Sequence, residues 1–289
     1  MSLMTSALRF SFGRSDKKRD AGLVIPDDVE RRVDVQYGED EKWNRLDVYR
    51  PKGTIGKLPV IVSVHGGGWT YGDKDGYQWY CMNLAERGFA VVNFTYRLAP
   101  EFKFPSSMID TCNVFDWVVK NDDWFELDHV FAVGDSAGAH MLTMYCAACN
   151  DPGYAKEIGI SPSLCPKAVA LNCGIYEIDM KKVSWMTKGL MKALLKDIHD
   201  EKELRLVNPL PYVNEQFPRA FVMTANHDGI AGGNRHLCLV NKLKSLGVEC
   251  IDKMYGSDEE KLDHVFHCDI RSQAAKQCND DECDFFLRD

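Results

Sequence analysis

Ser136 lies in Gly134-Asp135-Ser136-Ala137-Gly138, after an apolar run and before a helical pattern. A sharp strand-to-helix turn of this kind lifts a serine hydroxyl clear of a sheet. The glycines permit the turn, and the helix N-terminus favours negative charge that develops there. The pentapeptide also occurs in ordinary tight turns, so its weight comes from the flanking elements. Upstream, His65-Gly66-Gly67-Gly68-Trp69 follows a second apolar run. Successive glycines leave backbone N–H groups bare, which suits a hole for an oxyanion that forms only in a transition state. A phosphate cradle would continue into a helix beginning Lys-Ser/Thr, whereas this loop continues into Trp69, Thr70 and Tyr71.

A serine nucleophile needs a base, and the base needs an orienting acid. Of the eight histidines, His140 is one helical turn beyond Ser136 on the same helix, a poor place from which to reach it. Leu262-Asp263-His264-Val265-Phe266-His267 follows the last strand pattern, where a base belongs in the chain order Ser, Asp, His. Spacing alone does not separate His264 from His267. Asp228 ends the strand-and-turn Phe221–Asp228, at the strand edge where open α/β sheets gather their ligands. Asp252 and Asp263 are rivals in worse positions. An aspartate after a strand is as often a helix cap, so the order of the three elements carries the reading.

Those residues must be positioned by a sheet. Pro59 to Val64 is almost wholly apolar and β-branched, as a strand buried on both faces is. Phe89 to Phe94, Val130 to Val133, Ala168 to Leu171 and Phe221 to Thr224 repeat the signature, and a last strand runs from about Val248 to Tyr255. Arg32 to Tyr37 and Arg45 to Tyr49 alternate like an antiparallel edge hairpin. Helical patterns lie between: Met108, Cys112, Phe115 and Val119 after Pro105, and 235–246 stopped by Gly247. This alternation predicts a mostly parallel sheet with helices on both faces. Between about 176 and 207 the rhythm breaks. Val183, Met186, Leu190 and Leu194 share one helical face there, with Lys188, Lys192 and Lys196 turned elsewhere. The segment is either a surface helix on the core or a cap whose Met side chains adapt to apolar ligands. Residues 1–30 read as an N-terminal extension with little helical pattern, and 31–289 as one domain.

Composition narrows the partners. The chain has 289 residues, 35 basic against 43 acidic side chains and a net charge of −8, which argues against tracking nucleic-acid phosphates. Its apolar runs are too short to span a bilayer, and its start lacks the pattern of a signal peptide. Eleven scattered cysteines do not form a disulfide framework, so a reducing cytoplasm is the expected location. Cys146 and Cys149 fall inside a helix rather than at its N-terminus and read as buried structural thiols. His264, His267, Cys268, Cys278 and Cys283 match no usual zinc spacing. The acidic tail from Asn279 reads as a solvated end on which Phe285, Phe286 and Leu287 dock.

The chain resembles the hormone-sensitive-lipase-type esterases of the α/β-hydrolase superfamily from about residue 31 to 275. HGGGW (65–69), YRLAPEFKFP (96–105), GDSAG (134–138), the Asp228 turn and the His264 segment carry the likeness. The resemblance implies an α/β-hydrolase fold with a small helical cap at about 176–207. It further implies Ser136 as nucleophile, Asp228 as orienting acid and His264 as base. The family pattern His-Gly-Phe corresponds to His264-Val265-Phe266, which selects His264 over His267. It places the oxyanion hole at the N–H groups of Gly67, Gly68 and Ala137, and makes Trp69, Tyr71 and Met186 candidates for the pocket wall. A short N-terminal extension implies a roof made mainly by the 176–207 helix, an open site and a short acyl group. Smaller microbial acetyl esterases, some acting on acylated sugars, share these features. No cofactor or metal is expected. The expected partner is a small-molecule ester, with a homodimer left open. An amidase or formamidase would use the same residues, and a non-catalytic small-molecule receptor would lack one of them.

Overall fold

Alternate residues of the strand Leu58–Val64 point to opposite sides: Val60, Val62 and Val64 enter one hydrophobic core, and Ile61 enters the other. That strand, β3, is central in an eight-stranded sheet described here from a computed structural model covering residues 3–288. In chain order the elements are α1 (Leu3–Asp20), β1 (Val29–Gln36), β2 (Arg45–Pro51), β3, α2 (Lys74–Ala85) and β4 (Ala90–Phe94). Next come α3 (Ser106–Lys120), β5 (Phe125–Asp135), α4 (Ala137–Cys149), α5 (Pro152–Ile158) and β6 (Ala168–Asn172). The chain continues through α6 (Trp185–Leu194), α7 (Glu201–Leu206), β7 (Arg219–Ala225), α8 (Leu237–Ser245), β8 (Cys250–Tyr255) and α9 (Gln273–Phe286). The spatial order is β1-β2-β4-β3-β5-β6-β7-β8. β1 and β2 form the expected antiparallel hairpin, β2 also runs antiparallel to β4, and every later pairing is parallel.

Helices α3, α4 and α8 cover the face that carries Val60 and Val62, through residues such as Phe115, Leu142 and Leu239. Helices α2 and α9 cover the other, with Tyr80, Cys81, Cys278 and Phe285. Both faces are therefore dry, which is why the inner strands read as unbroken apolar runs. Parallel pairing also sets the C-terminal ends of β3, β5, β6 and β7 side by side, so the loops after them meet at one edge.

Three expectations need correction. Residues 3–20 are a helix, although the sequence shows little helical pattern there. The reason is that α1 is held by polar contacts at several points along its length rather than by an apolar stripe. Arg9 donates to the carbonyls of Thr70 (2.6 Å) and Ala99 (2.9 Å) and pairs with Glu101. Arg19 donates to the Gly76 carbonyl at 2.7 Å, and Arg271 reaches the carbonyls of Arg19 and Ala21 at the helix end. Second, the acidic tail is not simply solvated: Asn279 and Glu282 are wholly buried inside α9. Third, Phe285 and Phe286 dock as expected, but Leu287 is 58% exposed. In the 176–207 segment, α6 buries Leu190 and Leu194 and leaves Lys188 and Lys192 exposed, as its pattern predicts, but it is shorter than the pattern: Val183 precedes it and the exposed Lys196 follows it. Among the described residues no helix is long and apolar enough to cross a membrane.

Candidate active site

Ser136 is the residue between β5 and α4, with φ 52° and ψ −114°. A non-glycine residue in this region is strained by roughly 1–3 kcal/mol. The surroundings enforce it: the Ser136 N–H donates to the Asn172 carbonyl on β6 at 2.8 Å, and its own carbonyl accepts the His140 N–H at 3.1 Å. Gly138 makes the turn possible, since a Cβ there would lie 1.9 Å from the Val64 carbonyl oxygen.

The Ser136 Oγ is 2.9 Å from His264 Nε2, and His264 Nδ1 is 2.8 Å from Asp228 Oδ2. The carboxylate fixes the imidazole tautomer with the proton on Nδ1, leaving Nε2 to accept from the serine. Asp228 is fully buried in its side chain and His264 is 15% exposed. Burial alone would raise the Asp228 pKa, but hydrogen bonding and charge from His264, with the N–H groups of Ala231 and Ile230, hold it below the ordinary carboxylate value. Asp228 also closes its own turn, Oδ1 accepting those two N–H groups at 2.8 Å each while Oδ2 faces the imidazole, but it caps no helix, since α8 starts only at Leu237 after His236. Such a chain can take a proton from a hydroxyl and return it to a leaving group.

The rivals are occupied elsewhere. His267 is wholly buried, edge-on to Tyr80, and burial pushes its pKa down to about 3. Asp263 pairs with His227 at 2.9 Å on the surface, and Asp252 with His236 at 3.1 Å. His140 is buried with its pKa pushed down to about 4, and its Nε2 meets the Val207 carbonyl at 2.7 Å, tying α4 to the end of the 176–207 segment. Val265, where the resembling family has glycine, takes a left-handed conformation at φ 53°.

Gly66, Gly67, Gly68 and Ala137 line the cavity in front of Ser136. Gly67 has φ +103°, and a Cβ on it would sit 2.1 Å from the Tyr71 carbonyl oxygen, so only glycine fits. Two buried groups brace this loop. His65 bonds the Gly66 carbonyl through Nδ1 at 2.8 Å and stacks on Tyr96 at 4.0 Å, with its pKa pushed by burial to about 4. Tyr77 donates to Asp135 at 2.7 Å and accepts the Gly66 N–H at 3.1 Å, so it links the glycine loop to the turn that carries Ser136. Burial raises Asp135 to about 6 against the opposing Tyr77 bond. The sequence reading missed Tyr77, one of three aromatic residues of α2 with nothing local to set it apart from Trp79 and Tyr80.

The cavity measures about 240 Å³. Trp69, Tyr71 and Met186 line it, joined by Leu190, Ile175, Ile230 and Val265. Phe12, Ser15, Asp16 and Arg19 of α1 form a further wall. The roof is therefore shared between α1 and α6, which corrects the expectation of a roof made mainly by the 176–207 helix. Among the described residues one group of side chains has metal-holding spacing, Cys173, Asp228 and His264, with ligand atoms within 4.8 Å of one another. It contains the acid and imidazole already bonded to each other.

The model of the family described as BD-FAE matches residues 46–243, more than half of the chain. Over 237 residues the chain is 26% identical to the probable carboxylic ester hydrolase LipM of Mycobacterium tuberculosis, covering 78% of this chain and 54% of that one. It is 28% identical to esterase LipQ of the same organism over 206 residues, 68% of this chain and 48% of the relative. The chain thus spans about half the length of these curated relatives. Esterase B from Lactobacillus rhamnosis, solved with an inhibitor, superposes with a TM-score of 0.86 at 23% identity, covering 99% of this chain and 96% of that one. That likeness shows an α/β-hydrolase fold.

Proposed function

The chain belongs to the BD-FAE family, and from that premise we propose that it is a serine carboxylesterase acting on short-chain, acetyl-like acyl esters, with acylated carbohydrates as the substrate class. The observation that carries this reading is the unbroken hydrogen-bond chain from Ser136 through His264 to Asp228, opening on a cavity lined by the glycine loop. Relatives whose names specify ester hydrolysis support it.

In this reading His264 Nε2 takes the Ser136 proton as Oγ attacks the ester carbonyl. Asp228 stabilises the imidazolium without itself accepting the proton. The oxyanion is held by the N–H groups of Gly67, Gly68 and Ala137, where rigid donors act without reorganising. The C–O bond then breaks, His264 returns its proton to the leaving alcohol, and water repeats the sequence on the acyl-enzyme. Cavity size supports a short acyl group: about 240 Å³ is below the roughly 300–1,000 Å³ usual for drug-sized ligands.

Hydrolysis of p-nitrophenyl acetate, butyrate, octanoate and palmitate by wild type and Ser136→Ala tests the reading. Ser136-dependent rates falling with chain length are expected. A preference for palmitate would contradict the short-acyl assignment, and rates independent of Ser136 would contradict the nucleophile.

A further inference from the structure

The cavity in front of Ser136 has two chemically different halves. Met186, Leu190, Ile175 and Ile230 make one of them apolar. The other, built largely by α1, carries the polar side chains of Ser15, Asp16 and Arg19 beside the ring of Phe12, which packs against Tyr71. Asp16 Oδ2 accepts the Tyr71 hydroxyl at 2.7 Å and Oδ1 meets Arg19 Nη1 at 3.2 Å. Its side chain remains 26% exposed, so each carboxylate oxygen keeps acceptor capacity toward the cavity. Arg19, by contrast, is nearly saturated. Nε and Nη2 hold both oxygens of Asp20, at 2.6 and 2.9 Å, and Nη2 also meets the Gly76 carbonyl at 2.7 Å. The guanidinium therefore has little left with which to grip an anion. Because it sits against the Asp16 carboxylate, the corner is dipolar rather than a site for a lone cation.

An ester has two fragments, and a two-faced pocket sorts them. Resting on the esterase reading above, we infer that Asp16 is a specificity-determining residue: it accepts hydrogen bonds from neutral hydroxyl groups on the fragment of the substrate that lies against α1. Carboxylate-bearing fragments are disfavoured there, because Asp16 lines the cavity while Arg19 is already paired with Asp20. Purely aliphatic fragments displace water from the remaining acceptor positions of Asp16, beyond those filled by Tyr71 and Arg19, and put no donor in its place, which is costly. A site built to bond a hydroxyl discriminates strongly against the analogue that lacks it.

The test holds the acyl group constant and varies the alcohol: glycerol 1-monobutyrate, butyl butyrate and butyrylcholine, with wild type, Asp16→Ala and Asp16→Leu, neither of which keeps an acceptor. The readout is the ratio of kcat/KM between the glycerol and butyl esters, which does not depend on how much of a variant folds. The ratio should fall tenfold or more in both variants. A ratio within threefold of wild type overturns the inference, including the case in which all rates fall together and Asp16 merely supports α1. Asp16-dependence carried by butyrylcholine instead of the glycerol ester also overturns it. If wild type shows no Ser136-dependent hydrolysis of any of the three, it is the esterase reading that has failed.

Discussion

Single residues divide into candidates for the chemistry and groups that hold shape. Ser136→Ala should lower turnover at least a thousandfold, since a catalytic serine acts as a unit with its base, while the melting temperature stays within about 1 °C. Ser136→Gly should abolish turnover and raise stability by about 1 kcal/mol, because glycine adopts a positive φ without strain; thermal unfolding checks it. The two late histidines should part cleanly. His264→Ala should remove activity and leave the fold, whereas His267→Ala should destabilise the protein by about 2–4 kcal/mol as a buried ring beside Tyr80 is lost. Equal, small effects of both would place the base elsewhere. The sequence already assembled Ser136, Asp228 and His264 in order, because a nucleophile turn and strand-end loops leave local signatures. Spacing alone leaves His264 and His267 open, because three residues of separation say nothing about which ring turns toward Ser136.

At the scale of elements, α1 and α9 are where sequence reading fell short, for one physical reason. Periodicity detects apolar stripes, and α1 is anchored at several points by arginines that reach backbone carbonyls, a pattern without period. Arg9→Ala removes its contacts with Thr70, Ala99 and Glu101. Hydrogen exchange across residues 3–20 should then rise severalfold while the central strands stay protected; unchanged exchange would mean that packing alone holds the helix. The acidic run from Asn279 predicts a solvated end, yet Glu282, inside α9, is wholly buried. It accepts Tyr80 Oη at 2.7 Å and Asn172 Nδ2 at 2.6 Å, on the strand end that bonds Ser136. Burial raises its pKa from 4.5 to about 7 against those bonds. A carboxyl whose pKa is raised on folding contributes stability that is fully present below its unfolded pKa and is lost as pH rises through the folded one. Relative to Glu282→Gln, wild type should therefore lose a few kcal/mol between about pH 4.5 and 7. Denaturant unfolding at several pH values reads this directly, and a constant difference would contradict it.

For the whole molecule, the sheet was legible because both its faces are covered: dry inner strands such as Val60–Val64 are continuous apolar runs, and helices with one apolar face lie between them. Strand order was not written in the same way, since β3 lies between β4 and β5 through crossovers that no local pattern encodes. The pocket shows the same division. Its glycine loop and its α6 wall follow from motif and periodicity, but its polar wall comes from residues 12–19, far from Ser136 in the chain and joined to it only by folding. One wall of the cavity therefore comes from the part of the molecule least legible in the sequence.

The central claim is that Ser136 becomes acylated. Rapid mixing of the protein with p-nitrophenyl acetate, quenched in acid and followed by mass analysis of the peptide spanning Ser136, tests it most directly. The account predicts a burst of about one equivalent of p-nitrophenolate, consistent with covalent catalysis, and an acetyl group on Ser136 that is absent from Ser136→Ala. Turnover of the ester with acetyl on another residue, or the same burst in Ser136→Ala, would contradict it.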